Sequence, residues 1–124
     1  MIYTSYMYKN KDILMLGITP ISIAQGEPKG LDILNYKKLA PPWSLINEYK
    51  HSKDRTIYTR TYFETVLNKL NQFNVIAELL LLALATDVAI LCYEKPDDFC
   101  HRHLVADWLN LVLPEGEKVC ELEV

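Results

Sequence analysis

Three apolar runs in the chain have the length and composition of β-strands. Met1–Tyr6 and Ile18–Ala24 are rich in β-branched and aromatic residues, which favour strands. Val88–Cys92 is a continuous apolar run with polar flanks, which suits a strand that is buried on both faces. Either this strand or Met1–Tyr6 is expected at the centre of the sheet. Because Pro20 cannot donate a hydrogen bond to a neighbouring strand, the second strand is expected either at an edge of the sheet or only from Ile21 onwards.

Helical patterns occupy the intervals between these runs. Asp12–Leu16 and Pro42–Tyr49 are predicted as short helices, the second with a proline in its first turn. The motif Thr61-x-x-Glu64 is a capping box, which predicts the start of a longer helix. Asn74 is the expected cap of the helix that follows.

A further helix is predicted to begin near Cys100, with a core stripe that runs through Trp108. At about 100° of rotation per residue, His101 lies near the middle of this core face and points at the strand ends. Arg102 lies on the flank of the same face. His103 lies opposite the core and is expected at the surface.

Strands that alternate with helices predict an α/β fold, which we expect to be a single domain over residues 1–124. The expected architecture is Rossmann-like: a small, mainly parallel sheet of about three to four strands with helices on both faces. Val119–Val124 could add a short edge strand. Ligands in such folds bind beyond the carboxyl ends of the strands, where side chains from several strands converge.

Composition limits the possible functions. A formal net charge of −3 does not favour binding to duplex DNA. Lys50–Arg60 is locally basic, and it is either solvated surface or a phosphate-facing segment. The odd number of cysteines and a first segment unlike a secretory leader predict free thiols and a cytoplasmic location. The longest apolar run, Leu79–Ala85, is too short to cross a bilayer, so no membrane partner is expected.

Chemically reactive side chains collect at the predicted junction between the central strand and the last helix. Backbone N–H groups at a helix start favour anions, and a thiol placed there has a lowered pKa. Cys100 is therefore a candidate nucleophile, unless it is a packed core residue, and His101 is a candidate acid or base. Glu94 can serve as an acid or base only if its carboxyl group is desolvated. Arg102 either holds an anionic ligand or forms a surface salt bridge.

The candidate ligand-binding residues, besides Arg102, are Ser5, Tyr6, Ser22, Cys92 and Tyr93. Tyr6 and Tyr93 follow strands directly and could stack on a base or a sugar, or simply pack at the rim. Cys92, Cys100 and His101 are geometrically possible zinc ligands, but their spacing is not that of a zinc knuckle or ribbon. We therefore predict no metal and no cofactor.

The stretch Leu91–Leu109, with its Cys-x7-Cys-His-Arg spacing, resembles the signature of the family called domain of unknown function 488. The opening Ile2–Tyr6 is similar to the N-terminal strand of that family and its hydroxyl-bearing turn. Longer members have more chain between the first two strands, so their substrate-facing loops are expected to be absent here. The resemblance implies a compact α/β fold and a site at the strand ends, but no reaction, since the family has no settled activity. The residues marked by the family pattern are Cys92, Glu94, Cys100, His101 and Arg102.

Three functions remain open. The leading hypothesis is an enzyme that acts on a nucleotide, a nucleic-acid component or another phosphorylated small molecule, with Arg102 and the helix start holding the anion. The second is a non-catalytic module that binds or sequesters such a ligand, and the third is a small protein–protein adaptor. The expected partner is a small anionic or phosphorylated ligand, single-stranded nucleic acid is an alternative, and no oligomeric state is predicted.

Overall fold

β4 (Val88–Cys92) is the central strand of a five-stranded sheet. All five of its residues are buried, which suits an apolar run whose side chains pack on both faces of the sheet. The computed structural model describes residues 1–95 and 98–123. Its other strands are β1 (Ile2–Tyr6), β2 (Thr19–Ser22), β3 (Leu34–Asn35) and β5 (Cys120–Glu121). The strand order is β3-β2-β4-β1-β5, and every neighbouring pair is parallel.

This sheet confirms the Rossmann-like α/β class, but the expected number of three to four strands is wrong, because the sheet has five. The outer two, β3 and β5, are only two residues long. Two residues leave no alternating pattern in a sequence, which is why β3 is not predictable from it. β5 covers a small part of the expected strand Val119–Val124, whose last residue lies outside the described residues.

Five α-helices connect the strands in the part of the chain that the structure describes. They are α1 (Asn10–Met15), α2 (Trp43–Ser52), α3 (Arg55–Thr65), α4 (Gln72–Leu82) and α5 (His101–Asn110). Short 3-10 turns occupy Met7–Lys9, Lys37–Leu39, Leu67–Lys69 and Glu115–Glu117. No helix among the described residues is both long and apolar enough to cross a membrane.

The two faces of the sheet pack against different helices, as right-handed crossovers require. Ile90 of β4 belongs to a large buried cluster that includes Leu79 of α4 and further side chains from α2, α3 and α5. Leu91, the next residue, points the other way and belongs to a smaller cluster with Ile13 of α1. The predicted placement of helices on both faces is therefore confirmed.

Two helices begin where backbone N–H groups find a capping side chain, and neither start is the predicted one. Asp54 caps α3 by accepting hydrogen bonds from two N–H groups of its first turn, at 3.0 and 3.1 Å. Thr61 therefore lies inside α3, and the predicted capping box there is wrong. Asn71 caps α4 by accepting from the N–H of Asn74 at 3.1 Å, so this helix also begins earlier than expected.

Pro20 lies within β2, which is an inner strand rather than an edge. The N–H groups of Thr19 and Ile23 donate to carbonyls at the two ends of β4, both at 2.9 Å. The nitrogen of Pro20 therefore faces the opposite side, where β3 pairs with β2 only beyond this residue. Proline is tolerated because no ladder bond is lost at this position.

Candidate functional site

His101 is the first residue of α5 and is buried against the end of β2. Its Nε2–H donates to the carbonyl oxygen of Ile23 at 2.8 Å. Because a carbonyl oxygen only accepts, the proton resides on Nε2 and the lone pair lies on Nδ1. Nδ1 lies 3.8 Å from Sγ of Cys100. The ring therefore points at the strand ends, with its unprotonated nitrogen facing a sulfur atom.

Burial lowers the pKa of the His101 ring to about 4. The hydrogen bond to Ile23 opposes this change, and the nearby Arg102 and His103 add to it. The imidazole is therefore neutral at pH 7. A neutral ring of this kind orients a thiol by accepting its hydrogen bond, but it is a weak base.

Cys92, at the end of β4, and Cys100, directly before α5, are joined by a disulfide bond. The expectation of free thiols is wrong for this pair, because the end of β4 lies against the start of α5, which the sequence separation of 8 does not reveal. Cys120 on β5 is free and exposed. A sulfur atom in a disulfide is not a nucleophile, so a catalytic role for Cys100 requires reduction of this bond.

The two sulfurs and one ring nitrogen of His101 all lie within 4.8 Å of one another. Two thiolates and an imidazole would suit a soft ion such as Zn²⁺, but only after the disulfide is reduced. The absence of a metal therefore stays a prediction.

Arg102 is fully buried and forms an ion pair with Glu121 of β5. Its Nε and Nη2 donate to the two carboxylate oxygens at 3.2 and 3.1 Å, which is a bidentate arrangement. Nη1 donates to the carbonyl oxygen of Glu94 at 2.6 Å and to Sγ of Cys92 at 3.1 Å. The guanidinium thus ties together the ends of β4 and β5, and the surface salt bridge considered for Arg102 is wrong because the pair is internal.

Sequence reasoning missed Glu121, which stands 19 residues beyond Arg102. The parallel pairing of β5 with β1 places Glu121 beside Thr4, whose hydroxyl donates to Oε1 at 2.6 Å. Only the register of a two-residue edge strand reveals this arrangement. In the sequence, Glu121 is one of several acidic residues in a tail and gives no such signal.

A cavity of about 550 Å³ opens at the carboxyl ends of β2 and β4, beside α2 and α3. This volume is in the range of small-molecule binding sites. It lies where open α/β sheets bind ligands, and the first turn of α5 adjoins it. The predicted site residues that line it are Cys92, Tyr93, Glu94, Cys100 and His101.

The cavity also has a basic side, formed where α2 ends and α3 begins. Lys50, Lys53 and Arg55 line it there, within the segment whose phosphate-facing role the sequence left open. Lys53 adopts the left-handed conformation that ends α2, with φ 56°, and so brings the two helices together in a tight turn. None of the three cations forms an ion pair with a residue in the described ranges.

Aromatic side chains form a further wall of the cavity. Tyr49, Tyr58 and Phe99 pack against one another with ring centroids 5.3–5.4 Å apart. The guanidinium of Arg55 lies 5.3 Å from the Phe99 ring, and the amine of Lys53 lies 5.8 Å from the Tyr49 ring. These two cation–π contacts therefore connect the basic side of the cavity to its aromatic wall.

Ser5, Tyr6, Ser22 and Arg102 do not line this cavity. Ser5 and Ser22 are level with Leu91 in the sheet and share its face, so they point towards α1 and are buried there. Tyr6 lies instead near Arg102, with its ring 6.0 Å from the guanidinium. The strand ends thus bring five of the predicted site residues to the cavity and leave these four outside its lining, although Arg102 contacts Cys92 and Glu94 from behind it.

His103 is half-buried, so the expectation of a surface position is wrong. Burial and the charge of Arg102 lower the pKa of its ring, whereas Glu121 and Asp107 oppose the shift. The phase of α5 turns His103 away from the cavity but towards the Arg102–Glu121 pair, which explains its partial burial.

Comparison with known proteins supports the resemblance seen in the sequence. Residues 10–112, which are most of the chain, match the family model DUF488-N3a, described as the active DUF488-N3 subclade. No curated protein and no solved structure matches the chain. With its Rossmann-like sheet and this match, the chain belongs to the DUF488 family.

Proposed function

We propose that this protein is an enzyme that acts on a phosphorylated small molecule, with a nucleotide as the preferred form. One observation carries the proposal: three cations and the Cys100–His101 pair line the same cavity at the strand ends. The cations supply a place for an anion, and the pair supplies reactive groups beside it. This combination favours an enzyme or a ligand-binding module over a protein–protein adaptor.

Recognition of the phosphate is assigned to the basic side of the cavity. Lys50, Lys53 and Arg55 provide donors for charge-assisted hydrogen bonds to phosphate oxygens. The first turn of α5 adds the positive end of its helix dipole at the other side. Because the chain as a whole is negative, this attraction is local to the cavity rather than a property of the whole surface.

Recognition of a base or sugar is assigned to aromatic residues. Trp43 and Tyr93 line the cavity and are 57% and 50% exposed, so their ring faces are accessible to a ligand. Stacking on such faces is tolerant of base identity. Tyr49, Tyr58 and Phe99, which pack on one another, form a fixed wall behind the ligand.

The proposed chemistry is thiol chemistry at Cys100. In the reduced protein the Cys100 thiol would donate to Nδ1 of His101, which orients it towards the ligand. Glu94 also lines the cavity, but it is exposed, so an acid or base role would require the bound ligand to desolvate its carboxyl group. A cytoplasmic location would keep the thiol reduced. The description of the matched subclade as active is consistent with an enzyme.

Binding without turnover is the second candidate, and the disulfide favours it, since the oxidised cavity has no nucleophilic thiol. Both candidates predict the same ligand class. They differ in whether the ligand is chemically changed when the reduced protein is incubated with it.

The proposal is tested by a thermal-shift and calorimetry series with inorganic phosphate, ribose 5-phosphate, nucleoside mono- and diphosphates and a short single-stranded oligonucleotide. A mononucleotide should raise the melting temperature most, because tight binding stabilises the folded state by mass action. Arg55→Gln should weaken binding about 10-fold or more, since a charge-assisted hydrogen bond contributes about 1.5–3 kcal/mol.

The matched control is Arg60→Gln, an exposed arginine on the same helix that does not line the cavity. It should leave the affinity unchanged. Equal losses in the two variants would contradict the assignment of the phosphate to this cavity, as would the absence of binding to every phosphorylated probe. If the oligonucleotide binds more tightly than the small molecules, the ligand is single-stranded nucleic acid and not a phosphorylated small molecule.

A further inference from the structure

We propose that Cys92 and Cys100 form a redox-active pair that dithiols reduce reversibly, and not a permanent structural crosslink. Both residues line the cavity, so a small thiol reagent that enters it can reach the bond. Both are otherwise enclosed, because only 1% of the surface of Cys92 and 3% of that of Cys100 are exposed in total. The cavity is therefore the route by which the redox state changes.

Contacts other than this bond also hold both cysteines in place. β4 pairs with β1 and β2 along most of its length, which fixes Cys92. Cys100 precedes α5, which is held against the sheet by buried side chains such as Val105 and Leu109. The bond closes a short loop, with a sequence separation of 8, and so constrains the unfolded chain less than a long-range crosslink would, which leaves room for a chemical role.

Each sulfur also has a polar neighbour suited to the reduced state. Nη1 of Arg102 lies 3.1 Å from Sγ of Cys92, so a thiolate formed there gains a charge-assisted hydrogen bond. Nδ1 of His101 lies 3.8 Å from Sγ of Cys100 and can accept a hydrogen bond from its thiol. The two sulfurs thus have different roles when the bond opens.

The reduction proceeds by thiol–disulfide exchange with a dithiol. One thiolate of the reagent attacks Sγ of Cys100, the protein S–S bond breaks, and Cys92 leaves as a thiolate beside Arg102. The second thiol of the reagent then attacks the mixed disulfide, which releases Cys100 as the leaving group and leaves the reagent oxidised to a disulfide. Two electrons pass to the protein; one proton of the reagent ends on Cys100 and the other goes to solvent.

This chemistry would switch the proposed site on and off. The reduced form presents the Cys100 thiol beside His101, and the oxidised form removes it. That consequence rests on the proposed function, whereas the redox pair itself rests only on the contacts of the two sulfurs.

The test uses the full chain with Cys120→Ser, which removes the free exposed thiol. The protein is equilibrated in mixtures of reduced and oxidised dithiothreitol and precipitated with acid, which stops the exchange. It is then redissolved in denaturant with excess iodoacetamide at a pH of about 8, where thiolates react, and its mass is measured by mass spectrometry. We expect a reversible change between zero and two alkylated cysteines while circular dichroism stays native. A bond that resists excess dithiothreitol in the folded protein, or thiols that never form the bond in oxidised dithiothreitol, would overturn the proposal.

A second variant tests the role of Arg102. The double change Arg102→Gln with Glu121→Gln removes both charges of the buried pair and so avoids an unpaired ion. Without the guanidinium beside Cys92, the equilibrium should move towards the disulfide by about 10-fold or more. An unchanged equilibrium in a folded variant would contradict the role of Arg102. A native mass spectrum in which the reduced wild-type pair retains a metal ion would overturn the redox assignment in favour of a metal site.

The outcomes separate the two proposals. Phosphorylated ligands can be titrated into both redox forms by calorimetry. If the cysteines oxidise reversibly but no phosphorylated ligand binds, the proposed function is contradicted and the redox proposal is not. Ligand binding with a bond that cannot be reduced would contradict the redox proposal and the thiol chemistry, but it would leave the assigned ligand class and binding without turnover in place.

Discussion

His101 should make the stability of this fold depend on pH within a defined window. Burial lowers the pKa of the ring from 6.5 to about 4 in the folded state. Between these two values the unfolded chain binds more protons than the folded one, so stability rises with pH across this range. The contribution is fully present above about pH 6.5 and is lost as pH falls towards 4. It amounts to about 3 kcal/mol, at about 1.4 kcal/mol for each pH unit.

The measurement is urea unfolding, followed by tryptophan fluorescence, at pH 7 and pH 4. His101→Gln removes the titrating ring while its amide can still donate to the carbonyl oxygen of Ile23. Wild type should lose about 3 kcal/mol more than this variant between the two pH values. His51→Gln, at an exposed position on α2, is the control and should behave as wild type. A pH dependence that is the same with and without His101 would refute the neutral, buried imidazole.

Two further predictions concern packing and charge. Trp108→Ala should destabilise the protein by about 3–5 kcal/mol because Trp108 is buried in the core, whereas Asp107→Ala, at the exposed neighbouring position, should cost less than about 0.5 kcal/mol. Urea melts that gave the reverse order would show that the phase of α5 is wrong. Glu121→Gln should cost about 3 kcal/mol in the same assay because it leaves the charge of Arg102 buried and unpaired. Glu123→Gln, exposed in the same tail, is the matched control, and equal losses would argue against a buried ion pair.

The sequence predicted those parts of the fold that depend on local pattern. Val88–Cys92 is a central strand because an uninterrupted apolar run can be buried on both faces. The position of His101 followed from the apolar stripe of α5, since the helical period fixes which side chains share a face. These two elements are consecutive in the chain, and each contributes one residue to the cavity wall, Cys92 from β4 and His101 from α5.

Features that depend on long-range pairing were not predictable. The register of β5 brings Glu121 to Arg102, and no local pattern encodes that register. Ser5 and Ser22 follow the rule that ligands bind at strand ends, but the alternation of side chains turns both away from the cavity.

The most direct test of the central claim is protection of Cys100 from alkylation. The reduced Cys120→Ser protein, with and without the further change Arg55→Gln, is treated with iodoacetamide at pH 7 over a range of concentrations of the phosphorylated compound that gives the largest thermal shift. Modification of Cys100 is followed by mass spectrometry. If that compound occupies the cavity beside Cys100 and His101, it should slow the alkylation of Cys100 at concentrations too low to protect the variant with Arg55→Gln. An alkylation rate that the bound compound leaves unchanged would contradict the account.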